Sequence, residues 1–221
     1  NQIMTLPRRL TLTENNELRM EPTGDIESLR YDHRHVGITT LSPNEEMVFQ
    51  GIDGNAMELN VEIDPKSAPM VELNVLRSPN REEFTRIAFF KDRGFKTHRP
   101  TVQPGALLAN DGTVVPPHNQ TRTVQLHDSL LTLDSSYSST LPGALSRPPE
   151  TAPVRLDPYE TLKLRVFIDH SVVEVFANGK QCIAVRVYPG REDSTGVSLR
   201  AQSNEAELRS LDVWQMKNVY Y

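Results

Sequence analysis

Cysteine is almost missing. Cys182 stands alone in 221 residues, which excludes an intrachain disulfide framework and any zinc cluster built on several thiolates. A single Cys in Ile-Val-rich sequence reads as a small buried hydrophobe. Charge of one sign is not concentrated either: 24 Lys and Arg stand against 29 Asp and Glu, a formal net charge of −5, without a basic block. Nucleic acid demands clustered positive charge, so it is set aside as a partner. No apolar run approaches the roughly 20 residues that cross a bilayer, and no charged-then-apolar N-terminal segment resembles a signal peptide. A soluble chain without a membrane partner is expected. G-x-S-x-G, Walker, dinucleotide and H-E-x-x-H signatures are absent, so the usual marks of acyl transfer, nucleotide chemistry and zinc proteolysis are lacking, and no cofactor is expected.

No window carries a convincing 3.6-residue apolar stripe. What is present is period-two alternation broken every ten residues or so by turn chemistry, the pattern of short half-buried antiparallel strands. Met57, Leu59, Val61 and Ile63 alternate with Glu58, Asn60 and Glu62; Asp64-Pro65 breaks the run, and Val71, Leu73 and Val75 resume it. Further strands are expected at 46–50, 84–90, 130–133, 162–168, 172–177, 182–188, 197–201 and 208–214. Parallel pairing would need long, usually helical, connections, so two packed antiparallel sheets follow. The fold class is all-β, a β-sandwich of jelly-roll or concanavalin-like type, with a closed barrel as the alternative. At 37% hydrophobic and 24% charged the composition is ordinary for a globular domain, and about 70% of the unfolded surface is buried at this size. The chain opens on Asn1 rather than Met, as expected of a segment cut from something longer.

Two Pro-rich stretches interrupt the rhythm, Phe95 to Arg122 and Ser135 to Pro158. Proline cannot donate to a sheet ladder, so these are loops or edge excursions. They serve either as ordered surface connections or, less plainly, as binding loops.

The most informative segment is Leu162 to Pro189, L-K-L-R-V-F-I-D-H-S-V-V-E-V-F-A-N-G-K-Q-C-I-A-V-R-V-Y-P, which reads as three consecutive strands. Asp169 and Ser171 stand at the first reversal, where each side chain is able to accept bonds from nearby amides. Asn178-Gly179 supplies the positive φ angles of the second. A two-residue loop would set Glu174 opposite Ile183, mixing polar and apolar on one face. A three-residue loop through Lys180 aligns Val173 and Val175 with Val185 and Ile183, and register follows the buried face. That choice puts Glu174 and Arg186 on the opposite face as a diagonal charge pair.

Glycoside hydrolysis uses two carboxylates about 5 to 10 Å apart, and Asp169 with Glu174 is the tempting pair. Under the hairpin reading, however, Asp169 caps a turn and Glu174 faces outward beside a cation, so both read as structural. In Asp32-His33-Arg34-His35 the two histidines would share a strand face as metal ligands do, but Arg34 intervenes and no further ligands stand at a recognisable spacing. A solvated polar turn explains the stretch as well. His98, His118, His127 and His170 form no ligand motif. Asn119-Gln120-Thr121 is a formal glycosylation sequon. Trp214, in a terminal strand, reads as core rather than as a sugar platform.

V-F-I-D-H-S-V-V-E-V-F-A-N-G followed by I-A-V-R-V-Y-P resembles the C-terminal β-sandwich of glycoside hydrolase family 32, the invertases, levanases and inulinases. M-T-L-P-R-R-L-T-L, Met4 to Leu12, is similar to the stretch where that family leaves its catalytic propeller, and D-I-E-S-L-R, Asp25 to Arg30, to the start of the linker and sandwich. L-T-L-D-S-S-Y-S-S, Leu131 to Ser139, resembles the strand before the diagnostic segment, although the family often has a basic residue where Ser135 stands. Residues 95–123 and 143–157 find no counterpart and look like insertions. The resemblance implies residues 1–30 as linker and first strand and 31–221 as the sandwich. It implies a structural role for Asp169, Ser171, Glu174, Phe176, Asn178, Gly179, Arg186 and Trp214.

In that family chemistry belongs to an N-terminal five-bladed propeller with motifs resembling W-M-N-D-P-N-G, R-D-P and E-C. None is present; Asn110-Asp111-Gly112 and Arg191-Glu192-Asp193 are superficial echoes, so no catalytic, cofactor or metal residue is assigned. The implied role is a non-catalytic module of a fructosidase acting on sucrose, levan or inulin. Its implied partner is the propeller, with a homo-oligomer as a further option. The alternatives are a fructan-binding module with its own sugar site and the small subunit of a processed two-chain enzyme. An extracellular or periplasmic home is favoured over a cytoplasmic one.

Overall fold

The computed structural model describes residues 4–14, 16–94, 96–101, 107–108, 114–115, 122–145 and 147–218. Its strands are β1 (Arg8–Leu12), β2 (Leu18–Pro22), β3 (Arg30–Val36), β4 (Thr39–Leu41), β5 (Glu46–Asp53), β6 (Ala56–Asp64) and β7 (Met70–Arg77). There follow β8 (Thr85–Phe90), β9 (Lys96–Thr101), β10 (Leu107–Leu108), β11 (Val114–Val115), β12 (Arg122–His127), β13 (Ser129–Asp134) and β14 (Glu150–Val154). The last are β15 (Leu162–Asp169), β16 (Val172–Ala177), β17 (Gln181–Arg186), β18 (Gly196–Gln202) and β19 (Ala206–Met216).

Two large antiparallel sheets form the molecule. One runs β14-β13-β8-β7-β18-β5; the other runs β17-β16-β15-β6-β19-β3, with β4 also pairing β19. The expected β-sandwich is therefore present. Alternation dictates the inner face: Met57, Leu59, Val61 and Ile63 of β6 meet Val71, Leu73, Val75, Phe89, Leu131 and Leu199 of the facing sheet in one buried cluster. Leu59 and Leu199 are fully buried.

The three-residue loop is observed as expected. Val173 pairs with Val185 and Val175 with Ile183, leaving Asn178, Gly179 and Lys180 as the connection. Asn178 and Gly179 have φ of +51° and +63°, the left-handed values that a β-carbon makes costly and that Asn and Gly tolerate best.

Several expectations are corrected. Asp32 to His35 is not a turn but the middle of edge strand β3, paired with β19. The stretch read as a connection before Pro158 contains β14, an edge strand whose Pro153 lies opposite Leu130. An edge is where a residue without an amide proton is tolerated. Within Phe95 to Arg122, β9 pairs with β12 and β10 with β11, so that stretch also carries strands. Trp214 is half-buried on the outer face of the seven-stranded sheet, because a register shift in β19 leaves Leu211 and Val213 pointing inward.

Candidate functional site

The outer face of the seven-stranded sheet is polar in sequence, yet part of it is covered. Residues 4–14 and 16–29 supply the cover, with Leu6 and Arg8 on Glu174 and with Met20 and Ile26 packed on Phe167 and Phe176. Glu58, 0% exposed, holds two guanidinium groups: Arg30 by a fork with Nη2 at 2.6 Å and Nε at 2.9 Å, and Arg165 with Nε at 2.6 Å. Arg165 donates onward to Glu27 at 2.8 Å. A buried carboxylate requires such paired donors, and planar guanidinium forks supply them. Trp214 is clasped between Arg30, whose guanidinium lies 4.2 Å from the ring centre, and the stacked His33 at 4.8 Å.

Beside this lies Glu174. Its Oε2 accepts the Leu6 amide at 2.9 Å, and its Oε1 accepts Arg8 Nη2 at 2.8 Å and the Cys182 thiol at 3.4 Å. Burial, reinforced by the Glu174 charge, pushes the Cys182 thiol up to about 12, so this sulfur is an inert packing group. Ile26, Phe167 and Phe176 make a second apolar cluster with Leu6, Met20 and Met216 around it. Met20 also donates its amide to the Gly179 carbonyl at 2.8 Å, which ties β2 to the hairpin loop.

The expected Glu174–Arg186 pair is a correction. Glu174 is buried, and its cation is Arg8, 166 residues away in sequence; Arg186 lies instead 5.2 Å from the Tyr188 ring. Nor does Asp169 cap its turn through backbone amides. Its carboxylate is 84% exposed and bonds the His170 ring at 2.9 Å, while Ser171 accepts the Val187 amide through its backbone carbonyl. Asn178 is more deeply used than its turn role suggests: it donates to Glu160 and to the Thr161 carbonyl, and accepts the Lys163 amide. Phe176 stands edge-on to Phe167 at 6.1 Å within the seat.

Asp169 and Glu174 do line one groove of about 470 Å³, together with Met4, Leu6, Ile26 and Phe167. They are not an acid–base pair: both Glu174 oxygens are already occupied, by the Leu6 amide and by Arg8, and the Asp169 carboxylate points to solvent beside His170. His33 and His35 both bond one oxygen of Asp212, each at 2.8 Å. Burial opposes the charge on Asp212, but the His35 and His33 bonds outweigh it and hold the carboxyl below its usual range. No group of three His, Cys, Asp or Glu among the described residues has the geometry to hold a metal ion. His98, His118 and His127, the sequon and Asn110-Asp111-Gly112 lie outside the side chains described here. Arg191 and Asp193 pair with each other at 2.7 Å.

Sequence reasoning missed Arg8, Arg30, Glu58 and Arg165, the polar core of the seat. Their only signal was a carboxylate near the start of a strongly alternating strand, with nothing to say that its outer face is covered there.

Comparison with known proteins gives a consistent result. The family described as "Glycosyl hydrolases family 32 C terminal" matches residues 25–215. The levanase of Bacillus subtilis is 27% identical over 223 residues, and the carrot (Daucus carota) protein "Beta-fructofuranosidase, insoluble isoenzyme 2" is 28% identical over 226. These alignments cover 98% and 97% of this chain but only 27% and 38% of those proteins. The crystal structure of fructan 1-exohydrolase IIa from Cichorium intybus superposes over 97% of this chain and 41% of its own, with a TM-score of 0.74 at 21% identity. That likeness shows the fold.

Proposed function

Because the chain belongs to the C-terminal domains of glycosyl hydrolase family 32, we propose that it is a non-catalytic β-sandwich module of a fructosidase, stabilising an N-terminal propeller that carries the chemistry. In this reading residues 1–30 are the connection and 31–221 the module. The observation that carries it is the seat: the arm before β3 is held to the outer sheet by Arg8 and the Leu6 amide on Glu174, at 2.8 and 2.9 Å, and by Glu27 on Arg165 at 2.8 Å. A chain arriving from an upstream domain is thereby fixed rigidly to the sandwich. Exposed Met4, Leu10, Leu12 and Leu18 on this arm are apolar surface that an upstream domain would cover. The parent activity is cleavage of β-fructofuranosyl bonds in sucrose, levan or inulin, outside the cytoplasm.

The test is direct. The purified chain should give β-rich circular dichroism and release no fructose from sucrose, levan or inulin; release by pure material would refute the reading. Sequencing upstream of Asn1 should reveal a propeller with the W-M-N-D-P-N-G, R-D-P and E-C types of motif.

One observation favours a second reading, a module with its own sugar site. Tyr159, at a φ of +69°, projects its ring fully into solvent beside a groove of about 760 Å³ that Asn60, Lys163 and Ser210 also line. Titration calorimetry with fructan oligosaccharides separates the readings, since a purely structural module gives no saturable heat.

A further inference from the structure

We infer that the cleft where the two sheets meet edge to edge binds a small organic anion, a carboxylate or phosphate group carried on a ring or apolar body. The cleft lies between β17 of one sheet and the segment that leads into β14 of the other, and its volume is about 770 Å³. Sites for small molecules have this size. It shares no lining residue with the groove beneath the N-terminal arm, so the inference does not rest on the module's proposed role.

Arg186 carries the argument. Its Nε is buried without a hydrogen-bond partner, and among the described residues its guanidinium meets no carboxylate. Arg81 and Arg86 also leave Nε unbonded, but each reaches an acid through another nitrogen, Glu72 at 3.2 Å and Asp134 at 2.7 Å. Among the described residues, the contact that its guanidinium makes is a stacking one with Tyr188. A half-buried guanidinium without an acceptor is a strong donor left unused, and its planar fork suits a carboxylate or a phosphate. Arg147, on the opposite wall, likewise has no acidic partner among the described residues, and Glu150 is the one acid in the lining. The balance of the cleft is therefore cationic. One wall is apolar: Leu145 is 88% exposed, with Leu141 and Pro142 beside it, so the anion's carrier should be a ring or a hydrocarbon body.

The 221-residue chain, isotopically labelled, is titrated with phenyl phosphate, with benzoate and with benzyl alcohol while amide resonances are followed by NMR. At least one of the two anions should shift residues 141–150 and 184–188 saturably, and the difference between them identifies the preferred anionic group. The neutral alcohol should bind about tenfold more weakly or worse. Arg186→Gln should cost the anion about tenfold or more in affinity, and the exposed Arg147→Gln a smaller factor. Should Arg186→Gln disturb the fold, Arg186→Lys keeps the charge without the fork and is also expected to weaken binding. Absence of saturable shifts for both anions, equal binding of benzyl alcohol, or full affinity in both the Arg186 and Arg147 variants overturns the inference.

Discussion

Single carboxylates govern how this sandwich responds to acid. Glu83, 0% exposed, accepts the Thr140 amide and hydroxyl, the Gly190 and Arg191 amides and the Ser194 hydroxyl, so one side chain ties its own loop to two others. Burial alone would raise it, but these bonds prevail and hold it at about 2, against an ordinary value of 4.5. A carboxyl depressed in the fold stabilises at pH above its unfolded value and loses that contribution as pH falls through the folded one. Glu83 should therefore contribute about 3 kcal/mol above pH 4.5 that disappears progressively towards pH 2. Glu83→Gln should lower stability at pH 7 and flatten the acid limb of a urea-midpoint curve; an unchanged acid limb would contradict this account. Glu58 makes a related case without a loop. Glu58→Gln leaves Arg30 and Arg165 without their shared anion and should cost about 3–5 kcal/mol by urea denaturation at pH 7.

Elements were legible where one face is wet and the other dry. The run at 172–177 coincides with β16, and β6 extends the expected alternation by one residue at each end. β3 escaped because it is exposed or half-buried throughout, so nothing apolar marks its period; β19 alone fixes it in the sheet. β7 shows the converse. All eight of its residues are buried, including Glu72 and Asn74, so burial on both faces hides behind a sequence that alternates. The 178–180 turn was legible to the residue, since only one loop length keeps the valines on one face, yet its attachments to Glu160 and Thr161 are long-range and leave no local trace. Asn178→Gly and Asn178→Ala separate the two roles. Glycine keeps the left-handed backbone and loses the side-chain bonds; alanine loses both, and should be the less stable by about 1 kcal/mol in thermal unfolding.

At the scale of the whole molecule, resemblance and physics divided the labour. Alternation alone arrived at two packed sheets, but the motif around Val166 to Pro189, supported by Met4 to Leu12, Asp25 to Arg30 and Leu131 to Ser139, indicated which sandwich this is. Neither foresaw that the N-terminal arm is seated on the outer sheet, because the contacts of Glu174 with Leu6 and Arg8 span more than 160 residues. One apolar cluster joins both large sheets, so they should unfold together. Leu59→Ala, at a fully buried site in β6, should cost about 2–5 kcal/mol and move a single calorimetric transition without splitting it. The arm should behave in the opposite way. Leu10 and Leu12 are 58% and 70% exposed, so serine at both positions should change the stability of this chain by no more than about 0.5 kcal/mol. If an upstream propeller packs on that strand, the same pair of substitutions in the longer enzyme should lower its melting temperature and weaken the hold between the two domains. Equal tolerance in both settings would mean that β1 is not a docking surface and that the sandwich supports its enzyme through another face.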